Sequence, residues 1–380
     1  MKYESLLITG GAGFVGSNLA VLFRERCPRI AVTAFDNLRR RGSELNLPRL
    51  RQAGVQFVHG DVRNAEDFVR LPAFDLLIDC SAEPSVHAGS SGSPREVLNI
   101  NLLGTINCLE AARTLGARFL FLSTSRVYPI RRLNEIPWRE ETGRFRWTAG
   151  VADPGHLQPG VSERGVSERG VSERGVSERG IREDFPLAGP RSFYGASKLA
   201  SELLIQEYNH TCGLPALINR CGIICGPWQM GKVDQGVVTL WVARHHFDRA
   251  LQYTGFGGAG KQVRDLLHIQ DLFELLVRQI ERPDAWDGRI YNVGGGPDIS
   301  VSLLELTGLC QNITGRTVPV SGSSTGCDET NPLDVRIYLT DASRVSQDFD
   351  WQPQHNVETI LRDIHDWICR HESELAPLLA

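Results

Sequence analysis

The chain predicts an α/β fold, a doubly wound parallel sheet with helices on both faces and a smaller C-terminal lobe, and three observations predict it. Short apolar runs of strand length alternate with helical stretches through the first half, the pattern of parallel strands joined by crossover helices. The first run, at 6–8, is broken at once by a glycine-rich turn from which a helix opens. From Gly226 onward the alternation loosens into polar, glycine-rich segments. Residues 1–225 are therefore expected to form mainly the sheet body, with a VSERG repeat inserted at 160–180. Residues 226–380 are expected to form mainly the lobe, with the chain crossing back near 265–295.

Leu6, Leu7 and Ile8 suit a strand buried on both faces, and 17–26 (SNLAVLFRER) reads as an amphipathic helix. The strand at 30–35 ends at Asp36, the strand at 55–59 (VQFVH) at Gly60-Asp61-Val62, and the strand at 75–80 (DLLIDC) at Ser81-Ala82. A helix is expected over 97–115, a strand over 119–123 (FLFLS), a helix over 192–208 and a strand over 216–224 (ALINRCGII). A helix at 237–247 and a returning strand at 289–293 (RIYNV) complete the elements. Ligands of such a sheet bind beyond the carboxyl ends of its strands, so Gly10, Asp36, Asp61, Ser81 and Thr124 are expected along one edge.

Gly10, Gly13 and Gly16 stand three apart in LLITGGAGFVG. Glycines there permit a tight turn, close approach of backbone to a pyrophosphate, and close packing of helix on strand, while the helix N-terminus offers free N–H groups. Asp36, about 20 residues on, can bind the hydroxyls of an adenosine ribose, so the Rossmann-type sheet is expected to hold a dinucleotide. A carboxylate there repels a 2′-phosphate, which favours NAD over NADP; Arg39, Arg40 and Arg41 soften that preference or form a solvated loop.

With 41 Lys and Arg against 45 Asp and Glu, the formal charge of -4 supplies no overall field for nucleic acid or an anionic membrane. An anionic ligand has to be met by a local cluster. The nine cysteines (Cys27, Cys80, Cys108, Cys212, Cys221, Cys225, Cys310, Cys327, Cys369) are scattered, without paired C-x-x-C sets, and read as reduced, mostly buried thiols. No metal site is expected, Cys221 and Cys225 included. No run of about 18 apolar residues occurs, and the first apolar run is too short for a signal peptide, so a soluble, cytoplasmic protein is expected. The four VSERG copies are low-complexity sequence, read as an inert surface excursion or as a lid or partner contact.

Tyr194 and Lys198 (YGASK) stand four apart on one face of a helix. A tyrosine near pKa 10 is a poor base at neutral pH, and an ammonium one turn away favours its phenolate. Thr124 supplies a hydroxyl for the reacting oxygen, or else caps a turn.

With these residues in this order, the chain resembles the extended short-chain dehydrogenase/reductases, the NAD-dependent epimerase/dehydratase group, over almost its full length. Residues 194–271 resemble the CDP-sugar 2-epimerases most, through Y-G-x-S-K, VDQG at 233–236 and GKQVRDLLH at 260–268. The resemblance implies that Thr124, Tyr194 and Lys198 are catalytic, with Tyr194 as acid/base and Lys198 on the nicotinamide ribose. It places Gly10, Gly13, Phe14, Val15 and Gly16 at the pyrophosphate, Asp36 and Asn37 at the adenosine ribose, and Asp61 and Val62 at the adenine. Ser81 and Ala82 fall at the centre of the cofactor, Arg40 and Cys221 are further contacts, and Asn101 makes a structural hydrogen bond. Substrate contacts are Glu83, Arg126, Gln229, Asp234, Gln235, Arg264 and Arg336; Arg264 suits a diphosphate as a planar bidentate cation.

Departures matter too. Sugar dehydratases of the group carry Asp-Glu where this chain has Ser125 and Arg126, which argues against dehydration. The usual glycine after V-Y is Pro129, and Asn331 replaces an arginine often found near Asp334. Glu83 stands where a small residue or Gln is usual and either tunes sugar choice or faces solvent. The activity implied is inversion of C2 in a nucleoside-diphosphate hexose through a transient ketone. Alternatives are a UDP-sugar 4-epimerase, a net NAD-dependent oxidoreductase and a non-catalytic Rossmann binding protein. Helices 97–115 and 192–208 correspond to those through which relatives dimerise, so a homodimer is expected.

Overall fold

The computed structural model describes residues 3–90, 92–148, 175–231, 235–322 and 331–380. Asp234, Cys327 and most of the VSERG stretch lie outside the described residues.

Seven strands form the main sheet: β1 (Ser5–Thr9), β2 (Ala31–Asp36), β3 (Gln56–His59), β4 (Leu76–Asp79), β5 (Arg118–Thr124), β6 (Ala216–Cys221) and β7 (Asp287–Val293). Their order is β7-β6-β5-β4-β1-β2-β3 and every pairing is parallel. Leu6 pairs with Val32 on one side and Leu76 on the other, which makes β1 central and explains its unbroken apolar run. The chain reverses direction of travel between β1 and β4, and a crevice opens there at the carboxyl ends of the strands.

Helix α1 (Phe14–Arg26) begins directly after the glycine turn, three residues before the sequence-based expectation. The helix expected over 97–115 proves to be composite: Arg95–Leu98, a π-turn at Asn99–Leu103, and then α2 (Gly104–Leu115). The π-turn faces Asn101 inward, where it is buried. Helix α3 (Phe193–Cys212) is capped by Ser192, whose Oγ accepts from the Gly195 N–H at 3.1 Å. Farther along lie α4 (Val237–His246), α5 (Ile269–Glu281), α6 (Leu303–Thr314) and α7 (Val357–Arg370).

The strand expected over 216–224 is two strands. β6 stays in the main sheet to Cys221, and after Gly222 the chain enters a second sheet, where Ile223–Cys225 pairs with Val263–His268. Both halves are of strand composition, so nothing but Gly222 marks the change. Ser300–Ser302 and Ile337–Tyr338 complete that sheet. The chain then returns: β7 lies parallel to β6, with Asn292 opposite Arg220. One face of the main sheet packs on α1 and α5, with Phe23 and Phe273 edge to face at 5.0 Å, and the other packs on α2 and α3. A further core joins α4, α6 and α7. No described helix is long and apolar enough to cross a membrane.

Candidate active site

A groove of about 470 Å³ runs along the carboxyl ends of β1 to β4, lined by Gly10, Gly13, Phe14, Val15, Gly16, Asp36, Asn37, Arg40, Asp61, Val62, Ser81, Ala82 and Glu83. No side chain caps α1 at Gly13, so its first N–H groups and positive dipole end face the groove. A Cβ on Gly10 would meet the Cys80 carbonyl oxygen at 2.8 Å, and one on Gly16 would meet that of Gly10 at 2.2 Å. Only glycine lets the backbone close this tightly.

Asp36 is oriented by main chain: its Oδ2 accepts from Ala12 N–H at 3.1 Å and its Oδ1 from Leu38 N–H at 2.7 Å. Burial pushes its carboxyl up and these bonds oppose the rise. Asp61 receives Arg63 in a two-pronged pair, 2.9 Å from Nε and 2.6 Å from Nη2, and the Asn37 amide at 2.9 Å; chiefly the Arg63 hydrogen bond holds it down to about 2. An uncapped helix end and an oriented carboxylate are what a pyrophosphate and a ribose diol require, so the residues fit NAD. Arg40 spans the groove, donating to the Met230 carbonyl at 2.9 Å and to Gln235 Oε1.

A second cavity of about 390 Å³ adjoins it and shares Phe14, Val15, Ala82, Gln229 and Gln235. It brings together Thr124, Arg126, Tyr194, Lys198, Cys221 and Arg264 from four separate stretches. Tyr194 is half-buried at the start of α3. Burial pushes its phenol up, while a hydrogen bond with Thr124 and the charge of Arg126 pull it down and Glu83 opposes them. The glutamate thus acts on the pocket electrostatically. Lys198, one turn on, is 2% exposed and donates to the Leu122 carbonyl at 3.0 Å, its ammonium 4.3 Å from the centre of the Phe121 ring. Burial pushes this amine down and the nearby Asp79 most opposes it. Arg126 is thus a cation acting on the Tyr194 phenol that the sequence reading did not name in that role. Cys221 is an inert buried thiol, pushed up to about 12 by burial.

Arg126 donates to the Leu333 carbonyl at 3.3 Å, and Arg264 to the carbonyls of Val263 at 2.7 Å, Arg336 at 3.4 Å and Val335. Burial, and then the charge of Arg126, push the Arg264 guanidinium down to about 9. Two cations short of water line one pocket. Such a pair favours an anion.

Other expected residues sit differently. Asn101 lines neither cavity; it accepts from Glu83 N–H at 2.8 Å and donates to the Ser197 hydroxyl at 3.1 Å, tying the Glu83 loop to α3. Arg336 also lines neither, its guanidinium lying 4.0 Å from the Trp138 ring centre and 4.7 Å from that of Phe256. Gln229 reaches the cavity wall, but its amide is held by the Ile224 carbonyl at 3.1 Å and the Thr239 hydroxyl at 2.9 Å.

Two buried assemblies escaped the sequence reading. Asp79 accepts from the hydroxyls of Thr9 at 2.7 Å, Ser81 at 2.6 Å and Thr105 at 3.2 Å, fixing the turn after β4. An acid inside the apolar run DLLIDC was its only signal. Beneath the pocket, Glu202 and Arg220 form an ion pair at 2.7 Å, both almost wholly buried, with Ser123 at 2.5 Å from the carboxylate and Tyr128 at 3.1 Å from the guanidinium.

The model of the NAD dependent epimerase/dehydratase family matches residues 6–147 and 171–294. A CDP-paratose 2-epimerase from Salmonella typhi is 30% identical over 379 residues, covering 95% of this chain and 98% of that protein. A dTDP-glucose 4,6-dehydratase from Mycobacterium tuberculosis is 26% identical over 382 residues, covering 98% and 96%. Among solved structures, a UDP-glucose 4-epimerase from Thermotoga maritima superposes with a TM-score of 0.72 at 21% identity, covering 97% of this chain and 99% of that one, which speaks for the fold. The glycine turn, the ordered strand ends and the Thr124–Tyr194–Lys198 pocket agree with these matches, and the chain belongs to the NAD dependent epimerase/dehydratase family.

Proposed function

We propose that this enzyme epimerises a nucleoside-diphosphate hexose at C2. The observation that carries the reading is a single pocket in which the Tyr194–Thr124 pair has Ser125 and Arg126 as its neighbours. Loss of water from a sugar needs an acid for the leaving hydroxyl and a base for a ring proton. A serine hydroxyl and a guanidinium serve poorly for either, whereas inversion through a ketone asks only for one acid/base. The 30% identity to a CDP-paratose 2-epimerase over 95% of the chain supports the choice of carbon.

Bound NAD supplies a hydride acceptor that later returns the hydride to the opposite face of the same carbon. Thr124 holds the reacting hydroxyl against Tyr194, and Tyr194 as phenolate takes its proton. Burial raises the phenol, and the Thr124 hydrogen bond and the charge of Arg126 work towards the phenolate. Arg126 and Arg264 grip the diphosphate, leaving the hexose free to turn about that anchor before Tyr194 gives the proton back. The groove residues Gly10, Gly13, Gly16, Asp36 and Asp61 hold the cofactor, and Gln235 faces the nucleotide. Exposed Leu103, Leu115, Phe193 and Leu203 on and beside α2 and α3 suit a homodimer, and the free cysteines suit the reducing cytoplasm.

Proton NMR of the protein incubated with CDP-, UDP- and GDP-hexoses tests the reading. Inversion at C2 that disappears in Tyr194→Phe is expected; inversion at C4 makes the enzyme a 4-epimerase instead, and loss of the C6 hydroxyl a dehydratase.

A further inference from the structure

Far along the chain from the catalytic residues, the fold collects a group that no motif announces. His246 ends α4, and His365 and Cys369 lie one turn apart on one face of α7, the helix packed against it. His246 Nδ1 stands 3.3 Å from His365 Nε2, and Cys369 Sγ stands 3.6 Å from that nitrogen and 3.9 Å from the first. Two imidazole nitrogens on one tetrahedral zinc lie about 3.4 Å apart, and a thiolate sulfur about 3.6 Å from each, given bonds of about 2.05 Å and about 2.3 Å. The three separations are close to three edges of that tetrahedron. The ligand atoms, from two helices, all lie within 4.8 Å of one another.

The surroundings agree. The other nitrogen of His246, Nε2, is buried and makes no hydrogen bond, and the Glu372 carboxylate lies 3.8 Å from it. A carboxylate behind the second ring nitrogen is the outer partner that metal-binding histidines use to fix their tautomer. A second cluster, His268, His355 and Asp363, is accounted for without a metal. There the His268 Nδ1 accepts from the Gln270 N–H, which leaves its Nε2 protonated and 3.5 Å from Asp363, and His355 is committed to Asp271 at 2.8 Å.

We propose that His246, His365 and Cys369 bind a divalent transition-metal ion of the zinc class, as a structural clasp between α4 and α7. Two imidazoles and one thiolate select such an ion over magnesium or calcium. Cys369 is exposed, so the ion has a route in and a solvent molecule can fill the fourth position. Binding displaces the thiol proton to solvent and is therefore weaker in acid. The clasp bears on the active site at one remove. The N-terminal end of α4, Val237 and Val238, lines the substrate cavity, and the ion fixes the opposite end of that helix.

Cobalt(II) titration of the full-length protein, stripped with a chelator, tests this. One equivalent is expected to produce tetrahedral d–d bands and a thiolate-to-cobalt charge-transfer band, both displaced by zinc. Cys369→Ser should abolish the charge-transfer band, Cys212→Ser, at the other exposed cysteine among the described residues, should keep it, and Glu372→Gln should weaken binding roughly 10-fold with the spectrum retained. Circular dichroism on each variant separates loss of metal from loss of fold. A folded wild-type protein that takes up no stoichiometric cobalt, or a charge-transfer band that survives Cys369→Ser, overturns the proposal and leaves a hydrogen-bonded trio.

Discussion

In the cofactor groove the charged side chains are already engaged: Asp36 is held by two main-chain N–H groups, and Asp61 by Arg63 and Asn37. In the adjoining pocket Arg126 and Arg264 are short of water and satisfied mainly by carbonyls of 333–336. The first arrangement costs little to leave empty, since its carboxylates already have partners. The second sets two guanidiniums in one pocket, partly offset by the Asp334 carboxylate, and a diphosphate would answer the rest. A permanent cofactor and a passing substrate call for that division.

Substitutions can break or sharpen the contrast. Tyr194→Phe removes the acid/base between the two regions and should lower kcat by roughly 10²- to 10⁴-fold, with the unfolding midpoint and bound NAD unchanged. Glu202→Gln leaves Arg220 buried without its counter-charge and should destabilise the fold by about 3–5 kcal/mol in denaturant titration. Arg264→Gln should lower kcat/KM by about 1.5–3 kcal/mol through KM while leaving NAD content intact. If NAD is lost as well, the two regions are not independent. Asp36→Asn should do the converse, weakening NAD retention by about 1–2 kcal/mol with little change in KM for the sugar nucleotide.

A control outside both regions carries the smallest effect. Burial, then the charge of His355, push His268 down to about 4. The folded chain therefore holds that proton less tightly than the unfolded chain does. The stability it contributes is complete above pH about 6.5 and is lost as pH falls from there towards 4. Between pH 7 and 5 the wild type should lose roughly 1–2 kcal/mol more than His268→Asn, read as the difference in unfolding midpoints.

The same contrast explains what the sequence could reveal. Gly10, Gly13, Gly16 and Asp36 lie within one βαβ unit, so spacing along the chain becomes spacing in space, and the groove was legible before the fold was known. The pocket gathers 124–126, 194, 198, 264 and 334–335, whose meeting depends on the whole topology. Tyr194 and Lys198 were readable because a helix keeps them one turn apart. The orientation of Lys198 towards Leu122 was not, because burial decides it. Arg336 shows the limit of position: it matches an arginine of the family and yet sits among aromatic rings outside both cavities. Glu202 and Arg220, eighteen residues apart on helix and strand, give no pattern at all until α3 packs on β6. The switch at Gly222 left only that glycine as a trace, because a strand that changes sheets keeps its strand composition on both sides.

That switch, and the return of β7 after it, govern how the chain can be made. Val263–His268 belongs to the second sheet, yet the segments that follow, α5 and β7, complete the core and the edge of the first. Neither body is finished when the ribosome has released 225 residues, and a fragment ending there lacks α5 against α1 and β7 against β6. The first sheet can be completed only once residue 293 has emerged, and the second only once residue 338 has. The enzyme should accordingly unfold in one cooperative transition, and a protease cut between the two sheets should release no stable half.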